Sequence, residues 1–236
     1  MPERWRRFET AAARYEAWYE TPRGRRAGRA ERALLEALIK EFPGAETLLE
    51  VGCGTGHFAA EFARHGLIVV GLDRSPAMLA ELRRRHPGLP VVLGDAHALP
   101  FGDAAVDLAL FVTTLEFLEH PATALREAVR VSRRGLILLA LNRWSLGGLS
   151  RRRGPAARGA LLGQARDVSI LSLRALVRTA AGARLSGVRW TSALWPGGLW
   201  AWRVQVPLGD VIGIAVRLSP PRRSPGPRAE GLDARR

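Results

Sequence analysis

The chain has 236 residues, 47% apolar and 25% charged, the balance of a globular protein long enough to bury a substantial core. Its single cysteine, Cys53, excludes an internal disulfide or a cysteine-built metal site; the charged start MPERWRRFE lacks a signal-peptide core and no run nears the ~20 apolar residues that cross a bilayer, so a cytoplasmic setting is expected. The net charge of +14 is uneven, with ten basic and seven acidic side chains in residues 1–45, five and ten in 46–120, and twenty-one and five in 121–236.

Phe8, Ala12, Tyr15 and Tyr19 recur at helical spacing and predict a helix over Phe8–Tyr19, broken by Thr21-Pro22 and Gly24. A second helix is expected from about Arg26 to Glu41, stopped by Pro43-Gly44. Strands at Thr47–Val51, Leu67–Leu72, Pro90–Leu93, Val106–Val112 and Gly135–Leu141 then alternate with helices at Gly56–His65, Pro76–Arg85 and Pro121–Val131. Ser75 is placed to cap the second of these helices, with proline in its favoured first turn. Such alternation implies a parallel sheet with right-handed crossovers, its apolar strands buried on both faces.

After Asn142 the pattern loosens. Residues 143–170 read as a loop or lid; Leu173, Leu176, Val177 and Ala180 mark a helix capped by Ser172 and closed at Gly182. Two further strands, Leu185–Thr191 and Val211–Leu218, flank a segment with Trp195, Trp200 and Trp202. Residues 219–236 are proline-rich and basic without apolar anchors, a composition expected to stay disordered. The expected layout is one domain over 1–218, with cap helices in 1–45, a core in 46–142 and a C-terminal part of the sheet in 171–218.

The chemistry concentrates in Leu48–Phe58, LLEVGCGTGHF, where a strand ending in Glu50 runs into Gly52, Gly54 and Gly56. Glycines let backbone turn sharply and approach a ligand closely, and in α/β sheets such a turn opens a crevice at the carboxyl edge. A dinucleotide fingerprint requires a small residue where His57 stands, so that pattern fails. Glu50 would repel a pyrophosphate and suits a ligand carrying an ammonium and a sulfonium.

This stretch resembles motif I of class I S-adenosylmethionine-dependent methyltransferases, and the resemblance extends over about residues 8–218. It implies a Rossmann-like α/β fold: a seven-stranded, mostly parallel sheet with helices on both faces and an antiparallel last strand. It also implies S-adenosyl-L-methionine as cofactor, held by the turn Glu50, Gly52, Cys53, Gly54 and Gly56. Asp73, at the end of the second strand, would take the ribose hydroxyls, with Arg74 beside it and Met78 nearby. Asp95 and Ala96 in GDAHALPF would face the adenine, and Val112 and Thr113 the methionine end.

The N-terminal YEAWYETPRG resembles the cap helix of the small-molecule, type 11 branch that includes ubiquinone and menaquinone methyltransferases. Tyr15 would then face the methionine end and Tyr19 the substrate, with Glu116 in the loop after the fourth strand as a third candidate catalytic residue. Two aromatics packing a helix onto the sheet is the competing reading. The chain lacks the N-P-P-Y or D-P-P-Y of amino-methylating nucleic-acid enzymes, which disfavours a nucleobase acceptor. A small, lipophilic acceptor is therefore the leading expectation. The alternatives are an RNA or protein substrate docked on the arginine-rich half, or a cofactor-binding regulator without turnover. The tryptophan cluster reads either as a peripheral membrane contact or as cover for the sheet edge. No metal site is expected.

Overall fold

Seven strands join in one sheet of order β3-β2-β1-β4-β5-β7-β6 in a computed structural model that describes residues 5–145, 165–166, 168–193, 205–206 and 208–220. The strands are β1 (Thr47–Val51), β2 (Ile68–Asp73), β3 (Val91–Leu93), β4 (Val106–Val112), β5 (Ser132–Leu141), β6 (Leu185–Ala193) and β7 (Val211–Leu218). β1 to β5 pair in parallel, whereas β7 runs antiparallel to both β5 and β6. The fold is the Rossmann-like one expected, with the reversal of strand order between β1 and β4. A ligand crevice forms at such a switch point, outside the carboxyl ends of the strands.

Alternate residues of the central strands bury into two different layers, which is why the strands read as continuous apolar runs. Leu49, Ala109, Phe111 and Leu138 pack on one face with α5 (Pro121–Val131) and α6 (Ile170–Ala181). Leu48, Leu108, Leu110 and Ile137 pack on the other with α2 (Pro22–Ile39) and α3 (His57–Arg64). α4 (Pro76–Arg85) starts as expected at Ser75, whose side chain accepts from the Met78 N–H.

Two helices start three or four residues earlier than expected, and both shifts trace to caps. The Thr21 side chain accepts from the Gly24 N–H at 2.9 Å and Pro22 fills the first turn, so α2 begins at Pro22 rather than near Arg26. Gly24 is therefore helical, and the reason it is glycine is steric: a Cβ there would lie 1.9 Å from the Trp18 carbonyl oxygen of α1 (Arg6–Glu20). In α6 the cap is Ser169, while Ser172 is the third helical residue of a reciprocal capping box. Most of the expected lid, the three tryptophans and all but two residues of the basic tail lie outside the described residues.

Candidate active site

The turn after β1 takes its shape from glycine conformation. Gly52, Gly54 and Gly56 have φ of 76°, 53° and 83°, in the left-handed region. The Gly52 and Cys53 N–H groups both donate to the Leu72 carbonyl, at 2.7 and 3.0 Å, tying the turn to the end of β2. Asp73, the last residue of β2, then grips the turn from the side. Its Oδ2 accepts from the Gly54 N–H at 2.8 Å and its Oδ1 from the Ser75 N–H at 2.9 Å. Burial pushes its pKa up against the opposing pull of these backbone hydrogen bonds.

A cleft partly open to solvent lies against this turn, with about 930 Å³ of empty space when the open solvent at its mouth is counted. It is lined by ten of the expected site residues: Tyr15, Gly52, Gly54, Asp73, Arg74, Met78, Asp95, Ala96, Val112 and Thr113. A Cβ on Gly52 would sit 2.4 Å from Thr114 Cγ2, so only glycine leaves room between the turn and the end of β4. Thr113 itself has a φ of 47°, which turns the chain away at the strand end.

Glu50 lies behind the turn, 2% exposed, with Oε2 making no hydrogen bond among the described residues. Burial pushes its carboxyl up to about 8; Asp73 adds to the rise and the Ala59 N–H opposes it. In α2, Glu31 is 5% exposed, and burial pushes it up to about 7. Tyr15 is driven well above the usual phenol range by burial and by the charges of Glu31, Glu16, Asp73 and Glu50. Its hydroxyl therefore stays protonated near neutral pH.

Asp95 accepts from the His97 N–H at 2.9 Å and from His97 Nδ1 at 2.6 Å, while the His97 Nε2 accepts from the His120 N–H at 3.3 Å. These contacts fix the tautomer with the proton on Nδ1. Burial pushes the Asp95 carboxyl up, but the His97 bonds outweigh it and hold the group below its usual range.

Five expected residues do not line the cleft. Glu50 stands behind it as described. Gly56 serves the entry to α3, where a Cβ would meet Leu82 at 2.8 Å. Cys53 turns to β2, its Sγ 2.8 Å from where a Cβ on Gly71 would stand, and burial pushes its thiol up. Tyr19, expected in the substrate space, instead stacks on His57 with ring centroids 3.8 Å apart. Glu116, expected as catalytic, is fully buried, and its Oε1 accepts from the Leu141 N–H at 2.6 Å, anchoring the end of β5.

Much of the opposite wall comes from residues that no motif marks. Trp5, Phe8, Phe117, Leu118, His97 and Glu119 also line the cleft. Phe8 meets Phe117 edge-on with centroids 5.0 Å apart, so the N-terminal helix and the loop after β4 close over one another. Phe8 was legible as part of a helical face, but no local pattern marks the loop it meets.

Comparisons with known proteins agree with the fold. Residues 49–140 match the family model described as a methyltransferase domain. A demethylmenaquinone methyltransferase of Beutenbergia cavernae is 40% identical over 104 residues, 44% of this chain and 42% of that one. A malonyl-[acyl-carrier protein] O-methyltransferase of Serratia marcescens is 36% identical over 94 residues, 40% and 37% of the two chains. The chain thus spans less than half the length of these two relatives. The crystal structure of a SAM-dependent methyltransferase from Thermotoga maritima, a possible histamine N-methyltransferase, superposes with a TM-score of 0.73. That pair is 27% identical, with 91% of this chain and 99% of that one covered.

Proposed function

We propose that the chain, whose residues 49–140 match the model of a methyltransferase domain, is an S-adenosylmethionine-dependent methyltransferase that transfers a methyl group to a small, lipophilic acceptor bound under α1. The observation that carries this reading is the cleft itself, floored by a glycine turn and acids and roofed by aromatic side chains. The residues present fit the cofactor. Gly52 brings the turn so close to Thr114 that a Cβ would collide with it, and Glu50 keeps a buried oxygen with no hydrogen-bond partner among the described residues. A buried polar atom in that state is open to a partner beyond the described residues.

In this reading the backbone of Gly52 and Gly54 lies under the cofactor, Asp73 takes the ribose diol and Asp95 with Ala96 flanks the adenine. Val112 and Thr113 flank the methionine end, and Met78 and Arg74 close the ribose side. Glu50 supplies negative charge beneath the cationic end. The cofactor brings a methyl group already activated on a sulfonium, so the protein's task is alignment. Holding the reacting atoms in line near ~3 Å supplies several kcal/mol of the barrier. Tyr15, held as a neutral phenol, donates a hydrogen bond or packs at the methyl end and does not act as a base. Phe8, Phe117 and Leu118 favour an apolar acceptor, in keeping with the quinone named for one relative.

Transfer of labelled methyl groups from the cofactor to fractionated lysate tests the acceptor class. Label in the lipid or small-molecule fraction is the expected result. Label confined to RNA or protein would favour docking through the arginine-rich half, and cofactor binding with no transfer would favour a regulator.

A further inference from the structure

His57 occupies the position where a dinucleotide turn would carry a small residue, and cofactor contacts do not account for it. Its side chain points to α1. Glu16 of that helix is 9% exposed and spends both carboxylate oxygens on the glycine turn. Oε1 accepts from the Thr55 hydroxyl, and Oε2 pairs with His57 Nδ1 at 3.1 Å. Burial pushes the Glu16 carboxyl up, but the His57 and Thr55 hydrogen bonds outweigh it and hold the group below its usual range. One turn further along α1, Tyr19 lies flat on the His57 ring, with an interplanar angle of 13°. Gly28 of α2 leaves room for this stack, since a Cβ there would come within 3.2 Å of the Tyr19 ring.

We infer that Glu16, Thr55 and His57 form an interlock that docks α1 on the glycine turn and so sets how long a ligand stays in the cleft. Glu16 and His57 are positioning residues in this scheme. Tyr15, the chain neighbour of Glu16, lines the cleft together with Phe8 and Trp5 at the start of the helix. A ligand held against that wall leaves the partly open cleft faster when α1 lifts. Thr55 and His57 bracket Gly56 in the same turn whose Gly54 N–H is held by Asp73. The roof is therefore keyed to the turn in its cleft-forming shape, and whatever orders the turn also strengthens the dock. The consequence for ligand residence rests on the function proposed above; the docking of α1 does not.

The test has two arms, so that failure of one reading is distinguishable from failure of the other. In the unliganded protein, amide hydrogen exchange over residues 6–20 reads the dock directly. Glu16→Ala and His57→Ala should each speed exchange there at least tenfold while leaving β1 and β4 protected. The double variant should add less than twofold to either single one, because both break the same interlock. Glu16→Gln, which can still accept from Thr55, should fall between Glu16→Ala and wild type. In the second arm, stopped-flow displacement of S-adenosylmethionine, followed by tryptophan fluorescence, should show dissociation at least tenfold faster in Glu16→Ala. Unchanged exchange over α1, fully additive effects of the two variants, or an unchanged dissociation rate in a cofactor-binding protein would overturn the inference.

Discussion

The floor of the cleft is made where strands end. The Gly52–Gly56 turn follows β1, Asp73 ends β2 and Asp95 lies two residues past β3, and the backbone bonds that shape them reach only to the neighbouring strand end or to residues close by. The roof is a helix from earlier in the chain, held down by Glu16 across about forty residues and by Phe8 meeting Phe117 across more than a hundred. The contrast separates two kinds of control. Floor residues define what binds, because they set the shape and charge that a ligand meets. Roof residues define how it is enclosed, because side-chain contacts between distant segments open at a lower free energy than a strand of the sheet.

Substitution at the floor should cost the most. Gly52→Ala places a Cβ against Thr114 at a positive φ, which by itself costs about 1–2 kcal/mol for an L residue. With the ligand's approach also blocked, affinity for S-adenosylmethionine measured by calorimetry should fall a hundredfold or more. A tenfold loss or less would mean that the turn does not lie against the ligand.

At the roof the effect is smaller and kinetic in character. Tyr15→Phe removes one neutral hydroxyl, worth about 0.5–1.5 kcal/mol as a hydrogen bond. Steady-state kinetics should show a three- to tenfold loss in kcat/KM and no shift in the pH profile. A shifted profile would make Tyr15 a proton carrier and no longer a residue of the roof alone.

Glu116 belongs to neither wall, and its variants should be the mildest in activity. Glu116→Gln keeps an acceptor for the Leu141 N–H and should retain kcat within about twofold. Glu116→Ala strands that donor at a cost of about 1–3 kcal/mol, a fall of several degrees in Tm. A kcat collapse in Glu116→Gln with Tm unchanged would restore the catalytic role first expected of it.

The same division explains what could be read from sequence. The sheet was legible because strand and helix periodicities alternate, and the floor because its residues sit within a few positions of a strand end. Helix α2 was misplaced at its start because Gly24 reads as a breaker, while the cap on Thr21 and the close α1–α2 contact make it helical. Tyr15 and Tyr19 show how far the reading of α1 could go. Both lie on one helical face, yet only Tyr15 meets the cleft, since His57 captures the Tyr19 ring. Glu116 looked catalytic from its place after β4, but the Leu141 backbone that claims it lies 25 residues away. Contacts of that range leave no local signature.

The charge state of Glu50 offers the most direct test of the central claim, that an acid-floored turn receives a cationic cofactor. Its folded-state pKa of about 8 stands above the 4.5 of an unperturbed glutamate, so the native protein holds a proton that the unfolded chain gives up. Stability of the unliganded protein should therefore fall as pH rises from 4.5 through 8, with Glu31 contributing in the same direction up to about 7. A cation seated above Glu50 favours the carboxylate and reverses the shift, releasing the proton. The measurement is calorimetric titration with S-adenosylmethionine at pH 7 in buffers of different ionisation enthalpy. We predict binding that releases up to about one proton, release that disappears in Glu50→Gln, and affinity at least a hundredfold weaker in Asp73→Ala. Absence of binding by the wild-type protein, or binding with no proton released, would contradict the account.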